Sequence, residues 1–284
     1  MIVRWAVCTA MVMVLAACAD RGTGTAPATG TEPSLVEEPD WANLFEEHGV
    51  EGTFVLREIG DTTIRVHDPA RARRAEIPAS TFKILNSLIA LETGVVADVD
   101  TAIDWDGVER SVAAWNRDHS LRTGIEVSAV WLYQEIAREV GSVRMAEMVD
   151  AADYGNADIG GPIDEFWLRG ALRISPVEQI DFLARLVTGD LPFDLAHVDA
   201  VREILVRESG PGWVWAHKTG TALAAEPVLG WLVGFTEYEG REWVYAMNLD
   251  LGTIDLPEEI EPEVRQLVAR SILERAGALP AGSG

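Results

Sequence analysis

Strand-like runs at both ends of the chain, with helical periodicity between them, predict an α/β fold of the α+β sandwich type. In this arrangement an antiparallel sheet is built from both chain ends and carries an all-helical subdomain over roughly residues 95–206. A third observation is a short apolar helix opening at Ser80, directly after the first strands, which belongs against the sheet.

Each element has its own signal. Thr53-Phe-Val-Leu-Arg-Glu-Ile59 and Thr62-Thr-Ile-Arg-Val-His67 are rich in β-formers, and Gly60-Asp61 between them suits a two-residue hairpin loop. From Ser80 to Thr93, Phe82, Ile84, Leu85, Leu88, Ile89 and Leu91 recur at helical spacing, and Gly94 supplies a C-terminal cap. Ala129–Val140 and Pro176–Val187 read as helices, with a Gly and Pro cluster over Tyr154–Pro162 between them. Trp213–His217, Val228–Glu237 and Glu242–Leu249 are strand-like, and Pro262–Ala276 closes the chain as a helix. A cleft between sheet and helical subdomain is the natural ligand site.

The 284 residues divide into four parts. Residues 1–17 form a secretory leader: a positive start at Arg4 followed by an apolar run too short to span a bilayer. Leu15-Ala-Ala-Cys18 resembles a bacterial lipobox, in which Cys18 is lipidated after cleavage; the alternative is a plain leader with a coincidental cysteine. Residues 18–40, rich in Thr, Gly, Ala and Pro, read as a flexible tether. Residues 41–280 form one catalytic domain and 281–284 a tail. An exported protein anchored in the bacterial periplasm or cell envelope follows, touching the membrane only through the lipid at Cys18.

The net charge of −23 leaves no basic face for nucleic acid and no attraction to anionic lipid. Both cysteines, Cys8 and Cys18, lie near the start, so thiol catalysis and cysteine-ligated metal are excluded from the domain. His48, His67, His119, His197 and His217 are scattered without ligand spacing, so no metal is expected. One bias is informative. Of 23 basic residues 21 are arginine, and only Lys83 and Lys218 are lysine. Arginine stays protonated in proteins, whereas burial tunes a lysine amine toward neutrality. Both lysines are therefore candidates for chemistry.

Lys83 lies in Ser80-Thr-Phe-Lys83, where i,i+3 spacing on a helix puts hydroxyl and amine on one face. Serine attacks only when a base takes its proton, and an amine serves when apolar surroundings keep it neutral. Alone, the motif is equally a solvent-facing helical turn. Lys218-Thr219-Gly220 sits in a strand-like region, where a lysine, a hydroxyl and a glycine allowing close backbone approach suit an anionic group. Alone, it is equally a turn. Ser128 before a helix is either an N-cap or a proton shuttle. The order Ser80, Lys83, Ser128, Lys218 unites them, because S-x-x-K followed by K-T-G is shared by serine β-lactamases and penicillin-binding proteins.

Further motifs narrow the resemblance. Pro78-Ala-Ser-Thr-Phe-Lys-Ile84, Ser128-Ala-Val130, Tyr154-Gly-Asn156, Phe166-Trp-Leu168, Lys218-Thr-Gly220, Gly230-Trp-Leu-Val-Gly234 and the helix Trp131–Arg138 together resemble the class D, oxacillinase-type, serine β-lactamases, from about Phe45 to Gly277. S-D-N is absent, which disfavours class A. The resemblance implies a serine β-lactamase or penicillin-binding transpeptidase-like fold and hydrolysis of β-lactam small molecules through an acyl-enzyme on Ser80. It implies that Lys83 carries a carbamate made with carbon dioxide or bicarbonate, with no other cofactor, and acts as general base. Trp167 would donate to that carbamate, and Val130 and Leu168 would line its pocket. Ser128 and Lys218 would pass a proton to the leaving nitrogen. The backbone N–H groups of Ser80 and Thr221 would form the oxyanion hole. Thr219, Gly220 and Thr221 would contact substrate, with Arg265 as the cation for its carboxylate, or else a surface arginine. Tyr154 and Asn156 are expected to be structural. The competing functions are a β-lactam sensor that acylates without turnover and a peptidoglycan D,D-transpeptidase or carboxypeptidase.

Overall fold

The structure is a computed structural model describing residues 34–252 and 263–282. The leader, Cys18 and most of the expected tether lie outside the described residues. In chain order come strand β1 (Ser34–Glu37), helix α1 (Ala42–Glu47), strands β2 (Gly52–Glu58) and β3 (Thr63–His67), and helices α2 (Pro69–Ala72) and α3 (Lys83–Glu92). Helices α4 (Leu121–Glu126), α5 (Val130–Val140), α6 (Ser142–Ala151), α7 (Pro176–Thr188) and α8 (Leu195–Leu205) make the helical part. Strands β4 (Val206–Gly210), β5 (Trp213–Ala222), β6 (Leu229–Tyr238) and β7 (Arg241–Asp250) and helix α9 (Glu263–Ala276) complete the chain.

The sheet runs β1-β3-β2-β7-β6-β5-β4. Early and late strands meet where β2 pairs antiparallel with β7, so the sheet is built from both chain ends. Strand alternation sorts side chains into two layers. Phe54, Leu56, Trp215, Leu232, Tyr245, Met247 and Leu249 face one layer with α1 and with Val268, Ala269, Ile272 and Leu273 of α9. Val55, Ala216, Trp231, Val233, Val244 and Ala246 face the other, with α3, α5, α7 and α8. On β5 this alternation, continued from Ala216, places Lys218 on the helical side. Gly234 of β6 is required where it stands, because a Cβ there would run into the Ala216 carbonyl of β5.

Local chemistry sets the helix ends. Ser175 and Glu178 form a reciprocal capping box at α7, Pro176 occupies its first turn, and Gly189 leaves it at φ +72°. Ser120 and Thr123 box α4 in the same way.

Two expectations need correction. Composition predicts a tether through residue 40, but Ser34–Glu37 pairs in parallel with β3 and Pro39–Trp41 form a 3-10 turn that buries Trp41. The sheet is therefore mixed rather than wholly antiparallel. The polar run Val206–Gly210 forms β4, which the sequence did not announce. Both are edge strands, whose outer side needs no apolar pattern, and β4 carries a bulge against β5.

Candidate active site

The Ser-Lys cluster is assembled from a turn, a loop and a strand. Before α3 the chain makes a 3-10 turn, Ala79–Phe82, rather than the α-helix expected from Ser80. Ala79 has φ +49°, a left-handed conformation that costs free energy in a residue with a Cβ. The surroundings fix it. Ala79 N–H donates to the Trp167 carbonyl at 2.9 Å, and the Thr81 N–H and hydroxyl both donate to the Pro78 carbonyl at 3.2 and 2.8 Å. The Trp231 indole donates to the Ile77 carbonyl at 2.9 Å. Ser80, half-buried between buried Ala79 and Thr81, is the residue this turn presents. Gly220 of β5 packs on it, and a Cβ there would lie 3.1 Å from the Pro78 oxygen.

Lys83 is fully buried at the start of α3, with its Nζ 2.5 Å from Ser80 Oγ. The same nitrogen is 3.4 Å from Ser128 Oγ and stands 5.5 Å above the Tyr133 ring. No carboxylate is paired with it among the described residues, and burial pulls its pKa down to about 7. Half of the free amine is thus neutral near pH 7, the state in which it accepts a proton.

Ser128 is not the N-cap of α5; Ala129 holds that position. Ser128 has φ +57°, and its hydroxyl lies between the Lys83 and Lys218 amines. Lys218 Nζ donates to Ser128 Oγ at 3.1 Å and to the Thr219 carbonyl at 2.9 Å. Burial, then the positive charges of Lys83, Arg207 and Arg265, hold the Lys218 pKa well below its ordinary value. Ser80, Lys83, Ser128 and Lys218 therefore form one chain of short contacts from three separate segments.

Trp167 is fully buried, stacks on Phe82 at 5.4 Å, and has an indole N–H without a partner. A buried donor left unpaired costs free energy, so this one awaits an acceptor. Val130 and Leu168 are half-buried. Arg265 is no surface residue: it is 3% exposed and donates to the Gly220 carbonyl at 2.8 Å and to Thr221 Oγ1 at 3.2 Å. Burial lowers its pKa only to about 10, so it keeps its charge beside the Lys218–Thr221 segment. Asn156 ties loops together through the Ala171 carbonyl and the Arg173 N–H. Tyr154 lies behind the nucleophile turn, where Gln179 donates to its hydroxyl at 3.2 Å and to Thr81 Oγ1 at 2.9 Å. Thr81, Tyr133 and Trp231 lie in the resembling motifs but carry no role in the sequence reading, and Gln179 lies in none; only the packed turn brings them to Ser80 and Lys83. Among the described residues no group of three or more His, Cys, Asp or Glu is placed to hold a metal ion.

A strained serine turn, a neutralised buried lysine and a second Ser-Lys pair define a serine acyltransferase of the transpeptidase-like class. Residues 57–274 match the model of the penicillin binding protein transpeptidase domain. The chain is 40% identical over 244 residues to β-lactamase OXA-48 from Klebsiella pneumoniae, covering 86% of this chain and 90% of that protein. Its fold matches the crystal structure of the class D β-lactamase YbXI from Nostoc, with TM-score 0.79 and 37% identity over 84% of this chain and 99% of the other. It also matches FUS-1 (OXA-85), a class D β-lactamase from Fusobacterium nucleatum subsp. polymorphum, with TM-score 0.80 and 34% identity over 86% of this chain and all of the other. The chain belongs to the class D β-lactamases, within the penicillin binding protein transpeptidase family. The sensor and peptidoglycan readings are not favoured by these relatives.

Proposed function

We propose that this protein hydrolyses β-lactam antibiotics through an acyl-enzyme on Ser80, with a carboxylated Lys83 as the base. The observation that carries the reading is a fully buried lysine 2.5 Å from Ser80 Oγ, with no carboxylate partner among the described residues and its pKa pulled down to about 7 by burial.

Lys83 accepts the Ser80 proton as Oγ attacks the lactam carbonyl. The Ser80 and Thr221 N–H groups receive the developing oxyanion. The ring C–N bond then breaks, and the proton taken from Ser80 passes by way of Ser128, with Lys218 beside it, to the leaving nitrogen, which frees the base. The base at Lys83 then takes a proton from the water that attacks the ester and returns it to Ser80 Oγ as the ester C–O bond breaks. Carbon dioxide taken up by the neutral amine, with the released proton passing to solvent, would supply a carboxylate-type base at Lys83 for both steps. The unpartnered Trp167 N–H fits as its donor, and Val130 and Leu168 as its walls. Thr219, Gly220 and Thr221 form the substrate-facing edge, with Arg265 as the cation that draws the substrate carboxylate toward Thr221. Arg265→Gln is accordingly expected to raise KM by roughly tenfold or more with a smaller change in kcat, because a charge-assisted contact is lost; steady-state kinetics check it. The leader and the lipobox-like Cys18 support an exported, lipid-anchored protein in the cell envelope.

The test is turnover of a chromogenic cephalosporin across pH, with and without bicarbonate. Below pH 7 the free Lys83 amine is increasingly protonated, so activity is expected to fall about tenfold per unit toward acid. Bicarbonate is expected to restore activity most where the amine has been stripped of carbon dioxide. Flat activity from pH 5 to 8, indifferent to bicarbonate, would overturn the carbamate.

A further inference from the structure

Ser128 is held in an unfavourable backbone state, and one side chain outside the Ser-Lys array reaches the peptide that sets it. The φ angle of Ser128, +57°, is the rotation about its N–Cα bond relative to the Val127–Ser128 peptide plane. The carbonyl of that peptide accepts a hydrogen bond from the Trp115 indole N–H at 2.9 Å. Trp115 belongs to a 3-10 turn, Ala113–Trp115, that precedes α4.

That turn is pinned on several sides. The Trp131 indole, one residue into α5, donates to the Trp115 carbonyl at 2.8 Å, so indole bonds run both ways between the turn and the two sides of Ser128. His119 Nε2 lies 2.9 Å from the Ala114 carbonyl, and His119 Nδ1 lies 3.0 Å from Thr123 Oγ1. Asn116 binds Arg110 through both backbone groups: its side-chain oxygen accepts from the Arg110 N–H at 2.8 Å, and its amide donates to the Arg110 carbonyl at 2.9 Å. On the far side of Ser128, Ala129 N–H donates to the Gly124 carbonyl at 2.9 Å.

We propose that Trp115 is a positioning residue of the acyl-transfer reaction: by holding the Val127 carbonyl it locks the left-handed conformation that places Ser128 Oγ between Lys83 and Lys218. The inference rests on the reading of Ser128 as proton relay. A strained residue relaxes unless its neighbours over-determine it. If the Val127–Ser128 peptide turns, Ser128 Oγ leaves the 3.1 Å and 3.4 Å contacts to the two lysines, and the relay to the leaving nitrogen breaks. The hydrogen bonds of Trp115 run to Val112, Val127 and Trp131 and not to the lysines or Ser80, so its effect passes through Ser128.

The experiment is a double-mutant comparison. Trp115→Phe keeps the ring and removes only the N–H donor. Its acylation rate, read by pre-steady-state kinetics, is expected to fall roughly ten- to a hundredfold, the scale of a misplaced catalytic group. In a Ser128→Ala background the same substitution is expected to change acylation by less than about twofold, since nothing is left to position. A structural or substrate-contact role would lower the rate equally in both backgrounds, and that result overturns the inference, as does an unchanged rate in Trp115→Phe alone. If Ser128→Ala itself acylates at the parental rate, the relay reading fails first, and the two failures are thereby distinguished. Should Trp115→Phe not fold, Trp131→Phe, which frees the Trp115 carbonyl, is expected to give a smaller loss that is likewise masked by Ser128→Ala; an equal loss in both backgrounds overturns the inference.

Discussion

Lys83→Ala is expected to lower β-lactam turnover by roughly 10²–10⁴-fold, the contribution of a positioned general base. The loss should appear in acylation and deacylation alike, because the same nitrogen lies 2.5 Å from the Ser80 Oγ whose ester the water must cleave. It is not a folding defect. Lys83 is fully buried without a carboxylate partner among the described residues, so it is an amine the fold holds at a cost in desolvation. The alanine variant should melt at the parental temperature or above it while remaining inactive. Lys83→Arg sharpens the test, since a guanidinium stays protonated and can neither accept the Ser80 proton nor bind carbon dioxide. Measurable turnover by the arginine variant would sink the neutral-amine mechanism, as would a parental rate in Lys83→Ala.

Trp167→Phe is the second large expectation. It keeps the stack on Phe82 and removes a buried indole N–H that lacks a partner. A hydrogen bond to a charged group is worth about 1.5–3 kcal/mol, which corresponds to roughly ten- to a hundredfold in the step that depends on it. Deacylation should suffer more than acylation. Ser80 already lies against the amine and attacks a strained ring, whereas water must be drawn in and activated by the base alone. An acyl-enzyme should therefore accumulate and be seen by mass spectrometry. Trp167→Ala should show the same kinetic imbalance together with about 3–5 kcal/mol of lost stability from the cavity it leaves. Added bicarbonate should recover part of the deacylation rate in Trp167→Phe, because a weakly held carbamate refills by mass action. Hydrolysis by Trp167→Ala at the parental rate would remove the support for the carbamate.

Much of this molecule was legible without coordinates. The hairpin over residues 53–67, the late strands, and the helices at residues 130–140, 176–188 and 263–276 follow from period-2 and period-3.6 patterns and from cap residues. The two lysines stood out because the chain uses arginine almost everywhere else. Their conjunction with Ser80 and Ser128 was carried by motif order. The edge strands β1 and β4 were not legible, since an exposed, partly polar strand is defined by its partner rather than by its own composition. Nor was the support behind Ser80: Gln179 lies 98 residues from Thr81, and no local pattern encodes that distance.

The residue types alone determined that an amine and a hydroxyl would share one helical face, because three positions along a helix is a fixed short distance. They did not determine whether that amine would be charged. That was decided by folding, which removed water from Lys83, brought a second lysine to within bonding distance of Ser128, and kept carboxylates from pairing with either among the described residues. Folding also decided Arg265, turning an arginine that read equally well as surface into a buried cation behind Thr221. Spacing is a property of the chain, whereas solvation and charge neighbours belong only to the packed molecule.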